Sequence, residues 1–414
     1  MTENFKDKLF SRLDRYARIE TSSDENSTTF PSTKGQLELS ALLEQEMRKI
    51  GLANVRMDKN GYVMGELPAT STKKVPAIGF LGHVDTSPDS SGKNVVPQIH
   101  RSYQGGDIVI SHDAKLVLSP VNCPELKDFV GQDIVTASGG TLLGADNKAG
   151  VAIIMTAFEW LAQHPAFMHG PLKVAFTPDE EVGRGVDYFD VKAFGADFAY
   201  TVDGDITGTV ENENFNADSV TVTINGKSFH PGSAKNRMAN AVRIASDIIS
   251  SWPENMLPET TQDREGFIAF LSQNATVEKA VVKGIVREHD PAKLESMEKL
   301  LEAIVAAKRL KYPGAEIILE FKNQYRNMRE VLDKYPKVTA HLISAMRQCG
   351  VTPIQKPIRG GTDGARLSFM GLPTPNMFVG GGNFHGHQEW VSLDGMQKGV
   401  EVALALAAQW EKQP

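Results

Sequence analysis

Short apolar segments that alternate with helix-like segments are the feature of this sequence that most restricts its fold. Apolar runs typical of buried strands occur at 75–85 (VPAIGFLGHVD), 172–181 (LKVAFTPDEE) and 198–204 (FAYTVDG). The clearest helical pattern, at 149–164 (AGVAIIMTAFEWLAQH), lies between the first two. Strands that alternate with helices indicate a largely parallel sheet with helices on both faces. The sequence therefore predicts an α/β fold.

The middle of the chain has a different pattern, which predicts an inserted domain. The elements between residues 214 and 326 follow the order strand, helix, strand, strand, helix, strand, as in a small ferredoxin-like α+β unit. Since 414 residues are too many for one ordinary core, two domains are expected. We predict a discontinuous main domain, 1–213 and 327–414, and an inserted domain, 214–326.

Composition and charge exclude several classes of protein. A net charge of −7 and a pI near 5.9 disfavour nucleic acid or an anionic membrane as the main partner. No segment approaches the roughly 20 apolar residues of a membrane span, and the first residues, MTENFKDKLFSRLDRYARIE, lack the apolar core of a secretory signal. The two cysteines, Cys123 and Cys349, do not form a disulfide framework. The expected location is the cytoplasm.

Polar residues that could bind a metal follow three of the apolar runs. They are, in chain order, His83 and Asp85, Glu180 and Glu181, and Asp203 and Asp205. Ligands of open α/β sheets collect beyond the carboxyl ends of the strands, so these side chains could converge. Two further groups lie in glycine-containing loops. They are Asp146 in LLGADNKAG, and His385 and His387 in GGGNFHGHQEW.

Each of these residues also has an ordinary structural explanation. His83 could be a hydrogen-bonded histidine at a strand end, Asp146 a helix cap, and Glu180 part of a solvated turn. The HGH sequence around His385 could be a flexible loop. Their common placement at strand ends and in glycine-containing loops favours one shared site instead. Histidines and carboxylates without cysteine suit zinc or a similar divalent ion in a hydrolytic site.

The three consecutive acids at 179–181 are explained if cations lie among them. Burying like charges without partners costs on the order of several kcal/mol. A pair of zinc ions polarises a carbonyl and activates a bridging water. In such a site Glu181 would neutralise an ion, while Glu180, free of metal, would take the proton of the water as general base.

Long stretches of the chain resemble a zinc peptidase family that includes bacterial carboxypeptidase G, aminoacylase and succinyl-diaminopimelate desuccinylase. The stretches include AIGFLGHVDTSPDSSGKNVVPQI, TLLGADNKAG, VAFTPDEEVG, HPGSAK, IRGGTDGARLSFMGLPTPN and NFHG. The most specific resemblance is to the member of that family that acts on tripeptides. The family resemblance implies the di-zinc exopeptidase fold, which has a mixed, mostly parallel sheet flanked by helices and an inserted ferredoxin-like lid domain.

The resemblance also implies roles for individual residues. The implied metal ligands are His83, Asp146, Glu181, Asp203 and His385. Asp146 would bridge two ions, and the peptide bond that follows it is expected to be cis. Glu180 would be the general base, and Asp85 would orient His83 from behind, as carboxylates often do for a metal-bound imidazole.

Three further residues are implied to bind substrate. His230, in HPGSAK of the lid, would contact the substrate carbonyl or the developing oxyanion. Arg287 and Arg359 match positions that bind the terminal carboxylate or the backbone of the substrate. The alternative for His230 is a turn residue before a proline, and the alternative for Arg287 is a surface charge of the lid.

The activity implied is that of a metal-dependent aminopeptidase that hydrolyses the N-terminal residue from short peptides, in particular tripeptides. The cofactors expected are two Zn²⁺ ions per subunit, or other divalent metals, and a homodimer is considered. The alternatives are a dipeptidase or an N-acyl amino acid amidohydrolase with the same metal chemistry, and a catalytically silent peptide-binding protein. Nucleotide binding is disfavoured because the glycine-containing loops lack the Walker lysine pattern and a dinucleotide fingerprint.

Overall fold

A computed structural model of the chain describes residues 3–113 and 115–412. The α-helices are α1 (Lys6–Ala17), α2 (Lys34–Lys49), α3 (Ala145–Gln163), α4 (Val191–Phe194), α5 (Ala241–Ile249), α6 (Pro291–Lys311), α7 (Arg329–Leu332), α8 (Pro336–Gln348), α9 (Asp363–Phe369) and α10 (Leu393–Lys412). The strands are β1 (Ala53–Met57), β2 (Val63–Leu67), β3 (Ile78–His83), β4 (Gln98–His100), β5 (Ile108–Ser111), β6 (Leu116–Leu118), β7 (Ile134–Thr136), β8 (Leu172–Thr177), β9 (Phe198–Gly204), β10 (Thr209–Glu211), β11 (Asn216–Asn225), β12 (Phe267–Ala275), β13 (Lys279–Glu288), β14 (Glu316–Tyr325), β15 (Ile354–Gln355), β16 (Asn376–Phe378), β17 (Gly381–Gly382) and β18 (Trp390–Ser392).

The main sheet has eight strands in the order β1-β2-β8-β3-β9-β16-β10-β15. Its centre is parallel, because β3 pairs in parallel with both β8 and β9, and β9 with β16. Antiparallel pairs occur toward the edges, between β1 and β2, β2 and β8, and β10 and β16. The sheet is therefore mixed, with a parallel core whose strands are buried along their length.

Helices cover the sheet on both faces, each with its own hydrophobic cluster. The larger cluster joins the buried residues of α1, α2, α3, α8 and α10 to β3, β8 and β9. The smaller cluster joins Tyr62, Phe189 and Phe194 to Leu367 of α9. Helix α3 lies close against the sheet, since a Cβ atom on Gly150 would overlap the carbonyl oxygen of Val202.

The second unit of the chain is a four-stranded antiparallel sheet in the order β12-β13-β11-β14. In chain order its elements are β11, α5, β12, β13, α6 and β14, which gives the strand-helix-strand-strand-helix-strand succession of the ferredoxin-like unit. Apolar residues of α5 and α6 pack on one face of this sheet around Ile244, Leu301 and Val305.

Contacts divide the chain into two compact units. One contains the chain up to Asn212, Met328–Lys356 and the chain from Thr362, and the other contains Glu213–Asn327 and Pro357–Gly361. The short segment Pro357–Gly361 is an addition to the insert predicted at 214–326. It belongs there because Ile358 N donates to Glu213 O and the Arg359 guanidinium donates to carbonyl oxygens of 261–265.

Among the residues described, no helix combines the length and the apolar character needed to cross a membrane.

Candidate metal centre

The parallel core of the main sheet brings the predicted strand-end residues to one edge. Strand β3 lies between β8 and β9, and its last residue, His83, is in register with Thr177 at the end of β8. Glu180 and Glu181 follow in the loop after β8, and Asp203 lies at the end of β9. Because parallel strands end at the same side of a sheet, these residues become neighbours despite their separation in sequence.

Two groups of possible ligands meet at Asp146. In the first group, His83 Nε2 lies 3.0 Å from Asp146 Oδ1 and 3.3 Å from Asp203 Oδ1. In the second group, His385 Nε2 lies 3.3 Å from Asp146 Oδ2 and 2.9 Å from Glu181 Oε2. Each carboxylate oxygen of Asp146 therefore faces one group. The peptide bond between Asp146 and Asn147 is cis, as expected.

Asp85 orients the neighbouring residues at this edge of the sheet through hydrogen bonds. His83 Nδ1 lies 3.0 Å from Asp85 O and 3.2 Å from Asp85 Oδ1, which places the ring proton on Nδ1 and leaves Nε2 as a ligand atom. The fully buried Asp85 carboxylate also accepts hydrogen bonds from the backbone N–H groups of Glu180 and Glu181. One carboxylate thus positions the imidazole and both glutamates.

The three consecutive acids have three different environments. Asp179 is buried, and its backbone is in the left-handed region (φ 57°). Its carboxylate accepts hydrogen bonds from Ser32 N, Ser32 Oγ and Gln36 Nε2. Glu181 contacts His385, whereas Glu180 Oε2 lies 4.0 Å from His83 Nε2. Only the first acid is held by hydrogen-bond donors from α2 and the segment before it.

The electrostatics of the edge show a deficit of positive charge. Burial raises the pKa of the Glu181 carboxyl to about 8 and that of Asp203 to about 6. The pKa of Glu180 is also raised by burial, and Asp203 and Asp363 raise it further. Hydrogen bonds to Asp146 and Glu181 raise the pKa of His385 to about 11. Buried acids of this kind ionise together only when cations compensate them.

The residues present fit divalent ions. Ligand atoms of His83, Asp146 and Glu181 all lie within 4.8 Å of one another. The distances of 2.9–3.3 Å between donor atoms match the separation of about 3.3 Å expected for donors about 2.0–2.1 Å from a tetrahedral zinc ion. In the described part of the chain, Glu181 Oε1 is buried without a hydrogen-bond partner. A cation would supply that missing partner.

The three residues predicted to bind substrate lie in the second unit. His230 is exposed, and its Nδ1 accepts a hydrogen bond from Gly232 N, so the neutral ring carries its proton on Nε2. Arg287 is buried, donates to Asp218 O, Val286 O and Gln324 Oε1, and stacks on the Tyr325 ring. It is therefore not the free surface charge considered as its alternative.

Arg359 also has extensive contacts inside the second unit. Its guanidinium donates to Thr261 Oγ1, Asp263 O and Glu265 O, and it lies over the rings of Phe215 and Phe267. These contacts anchor the segment Pro357–Gly361 to the insert. The substrate role of both arginines stays a prediction.

The structure adds buried polar residues that the sequence analysis did not single out. Asp363 accepts a hydrogen bond from Thr177 Oγ1, and burial raises its pKa to about 7. Glu389 accepts three backbone hydrogen bonds from the loop that carries Asp146. Both lie in motifs of the sequence, GGTDGA and HGHQEW, but a single acid at the start of a helix or in a loop gives no signal of burial. Asp205, one of the strand-end acids considered as a metal ligand, forms an ion pair with Lys356.

Comparison with known proteins places this chain in a family. The pattern of the peptidase family M20/M25/M40 matches residues 136–409. A protein of Caldanaerobacter subterraneus subsp. tengcongensis named Peptidase T is 47% identical over 405 residues, which are 98% of this chain and 99% of the relative. The Peptidase T of Clostridium acetobutylicum is 48% identical over 402 residues, 97% of this chain and 98% of the relative. This chain belongs to the peptidase family M20/M25/M40.

Solved structures agree with the fold of this M20 chain. The aminopeptidase PepT of Bacillus cereus superposes with a TM-score of 0.76 at 20% identity and 98% coverage of both chains. A tripeptidase of Staphylococcus aureus gives a TM-score of 0.77 at 20% identity and 99% coverage of both chains. The YxeP protein of Bacillus subtilis, described as a dinuclear metal binding peptidase from the M20 family, gives 0.66 at 13% identity, with 98% of both chains covered.

These comparisons decide several of the predictions. The resemblance to the zinc peptidase family, and within it to peptidase T, is confirmed, as are the fold class and the prediction of a metallopeptidase with aminopeptidase activity. The roles of the individual site residues stay predictions.

Proposed function

We propose that this chain removes the N-terminal residue from tripeptides with the help of two zinc ions held at the strand-end edge. The observation that carries the proposal is the position of Asp146, whose two carboxylate oxygens face separate ligand groups ending in His83 and His385. Two further observations support the proposal. Solved structures of the same fold include an aminopeptidase and a tripeptidase, and a relative at 47% identity is named Peptidase T.

The residues of the chain divide the work at the site. His83, Asp146 and Asp203 would hold one ion, and Asp146, Glu181 and His385 the other. The bound ions would polarise the scissile carbonyl and lower the pKa of water. Glu180, whose Oε2 atom lies 4.0 Å from His83 Nε2, beyond hydrogen-bond distance, accepts the proton of the attacking water and returns it to the leaving amino group.

The second unit would contribute to substrate binding. His230 offers an Nε2–H donor on an exposed turn, which suits the oxyanion that forms at the scissile carbonyl. Arg287 and Arg359 would bind the terminal carboxylate or the backbone of the peptide. The enzyme would act on short peptides in the cytoplasm, in keeping with its two unpaired cysteines, Cys123 and Cys349.

The test is metal content and hydrolysis of a Leu-Gly-Gly-type tripeptide before and after chelation. We expect activity to disappear with the ions and to return with Zn²⁺. The variant Glu180→Ala should keep its zinc and lose at least about 100-fold in kcat, because general base catalysis contributes that much or more. Glu180→Ala activity at the wild-type rate would contradict the base assignment.

Parallel assays with other substrates test the specificity. Dipeptides and N-acetyl amino acids should be hydrolysed more slowly than the tripeptide. Faster hydrolysis of either would favour the dipeptidase or the amidohydrolase alternative, and no hydrolysis of any substrate by the zinc-loaded protein would favour a silent peptide-binding protein.

A further inference from the structure

Glu389 connects the two loops that carry Asp146 and His385. It is 1% exposed and stands four residues after His385, directly before β18. Its Oε2 atom accepts hydrogen bonds of 2.7 Å from the N–H groups of Leu143 and Gly144, and its Oε1 atom accepts one of 3.0 Å from Asp146 N. Glu389 and Asp146 are 243 residues apart in sequence.

The three donors converge on one carboxylate in this conformation of the loop. Gly144 is in the left-handed region (φ 77°), and the loop runs into the first turn of α3, where Asp146 and Asn147 have non-helical backbone angles. The first N–H groups of a helix have no partner within the helix. A buried carboxylate is a strong acceptor for such groups, and without it the donors would be left unsatisfied. The backbone that carries Asp146 therefore depends on the Glu389 side chain.

The position of Asp146 decides the spacing of both ligand groups. Its Oδ1 atom faces His83 Nε2 at 3.0 Å, and its Oδ2 atom faces His385 Nε2 at 3.3 Å. A rotation or shift of this backbone would lengthen one or both distances. The strands behind the two loops are already joined, because Trp390 of β18 pairs with Thr136 of β7. Glu389 extends this connection to the ligand itself.

We propose that Glu389 is a positioning residue that holds the Asp146 carboxylate between the two ion sites. The inference rests on the proposed function for its consequence in catalysis, but its structural part concerns the loop alone. Because one loop serves both sites, loss of Glu389 should weaken the binding of both ions. Loss of a ligand that belongs to one site, such as His385, should weaken mainly the binding of the ion at that site.

The first test measures amide hydrogen exchange in the metal-free protein. Glu389→Gln keeps the size of the side chain but replaces one acceptor oxygen by an NH₂ donor. We expect either the amides of Leu143 and Gly144 or the amide of Asp146 to exchange at least about 10-fold faster in this variant, because the oxygen that these amides face is replaced by a donor. The matched control is Asp133→Asn, which alters another buried carboxylate that accepts a backbone N–H, from Ser102. It should leave these amides unchanged.

The second test measures the affinity of both sites for Zn²⁺ alone. Glu389→Gln should weaken both sites by about 10–100-fold, the cost typical of losing a residue that orients a ligand. Glu389→Asp, which keeps the carboxylate but is shorter, should lie between wild type and Glu389→Gln. Unchanged exchange in the loop, or unchanged affinity at either site in Glu389→Gln, would overturn the proposal.

The two tests separate this proposal from the proposed function. If the wild-type protein bound no divalent ion, the proposed function would fail, and the exchange experiment would still decide whether Glu389 holds the loop. If Glu389→Gln did not fold, Glu389→Asp and the protection of the three amides in the wild type would decide the question, and unprotected amides would refute it.

Discussion

The carboxylates at the edge of the main sheet and Asp247 in the insert are compensated in opposite ways. In the insert, Asp247 receives a hydrogen bond of 2.8 Å from Lys311 Nζ, lies 3.0 Å from Lys308 Nζ and accepts the Tyr312 hydroxyl. At the sheet edge, Asp146 and Glu181 face His385, and further carboxylates lie behind them.

The difference shows what marks a metal site. Asp247 carries its compensating charge in side chains of the same unit and is partly exposed, so it needs no ion. The sheet edge has more buried carboxylates than cations, and Glu181 has a buried oxygen without a partner among the described residues. An acidic cluster indicates an ion when its own unit leaves the charge unpaired. The following predictions test this contrast in order of decreasing effect.

Removal of a ligand should have the largest effect. Glu181→Ala and His385→Ala should each lower Zn²⁺ affinity by more than the roughly 10–100-fold that loss of an outer partner costs, because they remove a direct donor. Asp247→Ala, the control in the insert, should leave affinity unchanged. Equilibrium dialysis with Zn²⁺ measures this. Equal zinc affinity in Glu181→Ala and wild type would break the comparison.

Removal of the ions should destabilise the sheet edge. A ligand present at 1,000 times its Kd stabilises the folded state by about 4 kcal/mol, and the same free energy is lost on chelation. Urea unfolding with and without a chelator measures this difference. In Asp247→Ala the chelator should lower the free energy of unfolding as much as in the wild type, and in Glu181→Ala it should lower it less. An unfolding midpoint that ignores the chelator in the wild type would show that the edge does not rely on ions.

Asp179→Ala should cost about 2–4 kcal/mol with or without ions. The substitution leaves Ser32 N and Ser32 Oγ without their acceptor, at about 1–3 kcal/mol for each group and with partial relaxation, and removes one of the acceptors of Gln36 Nε2. Urea unfolding in chelator measures this loss. This result would sharpen the comparison, because Asp179 would stabilise the fold independently of metal although it adjoins Glu180. A loss that appeared only in the presence of zinc would place Asp179 among the metal-dependent acids instead.

Asp247→Asn should have the smallest effect, below about 1 kcal/mol at pH 7, as expected for a pair near the surface. Lys311 and Lys308 lower the pKa of Asp247, so its folded pKa is below the unfolded value of about 3.9. The stabilisation that ionised Asp247 contributes to the folded state is therefore present above the pKa of the unfolded state. It is lost as the pH falls through the pKa of the folded state. The stability difference between variant and wild type should shrink between about pH 5 and pH 2 and in high salt. A constant difference would refute the ionic origin.

Much of the site could be predicted because strand ends carry local signals. His83, Glu180, Glu181 and Asp203 each follow an apolar run, and parallel strands must end at one edge of a sheet. The order of elements in the insert was also readable from alternating patterns. The strand β12 gives a weak signal in the sequence, because Ser272, Gln273 and Asn274 in its second half are polar and exposed.

Other features required the folded chain. Arg359 looks like a ligand for a carboxylate, but its neighbours Asp263, Phe215 and Phe267 are far away in sequence. The different environments of Asp179 and Glu180 depend on the left-handed backbone of Asp179 and on donors from α2 and the segment before it. Contacts of this kind leave no periodic trace, because each involves a single side chain.

The sequence by itself determined the α/β class, the insert and the types of donor atoms, since these follow from the period of apolar residues and from the chemistry of the residues at strand ends. Only the tertiary structure decided that Asp146 faces two ligand groups and that Glu389 accepts backbone hydrogen bonds from Leu143, Gly144 and Asp146. These relations depend on distances of about a hydrogen bond between residues as much as 243 positions apart, which packing of the whole sheet and its helices sets.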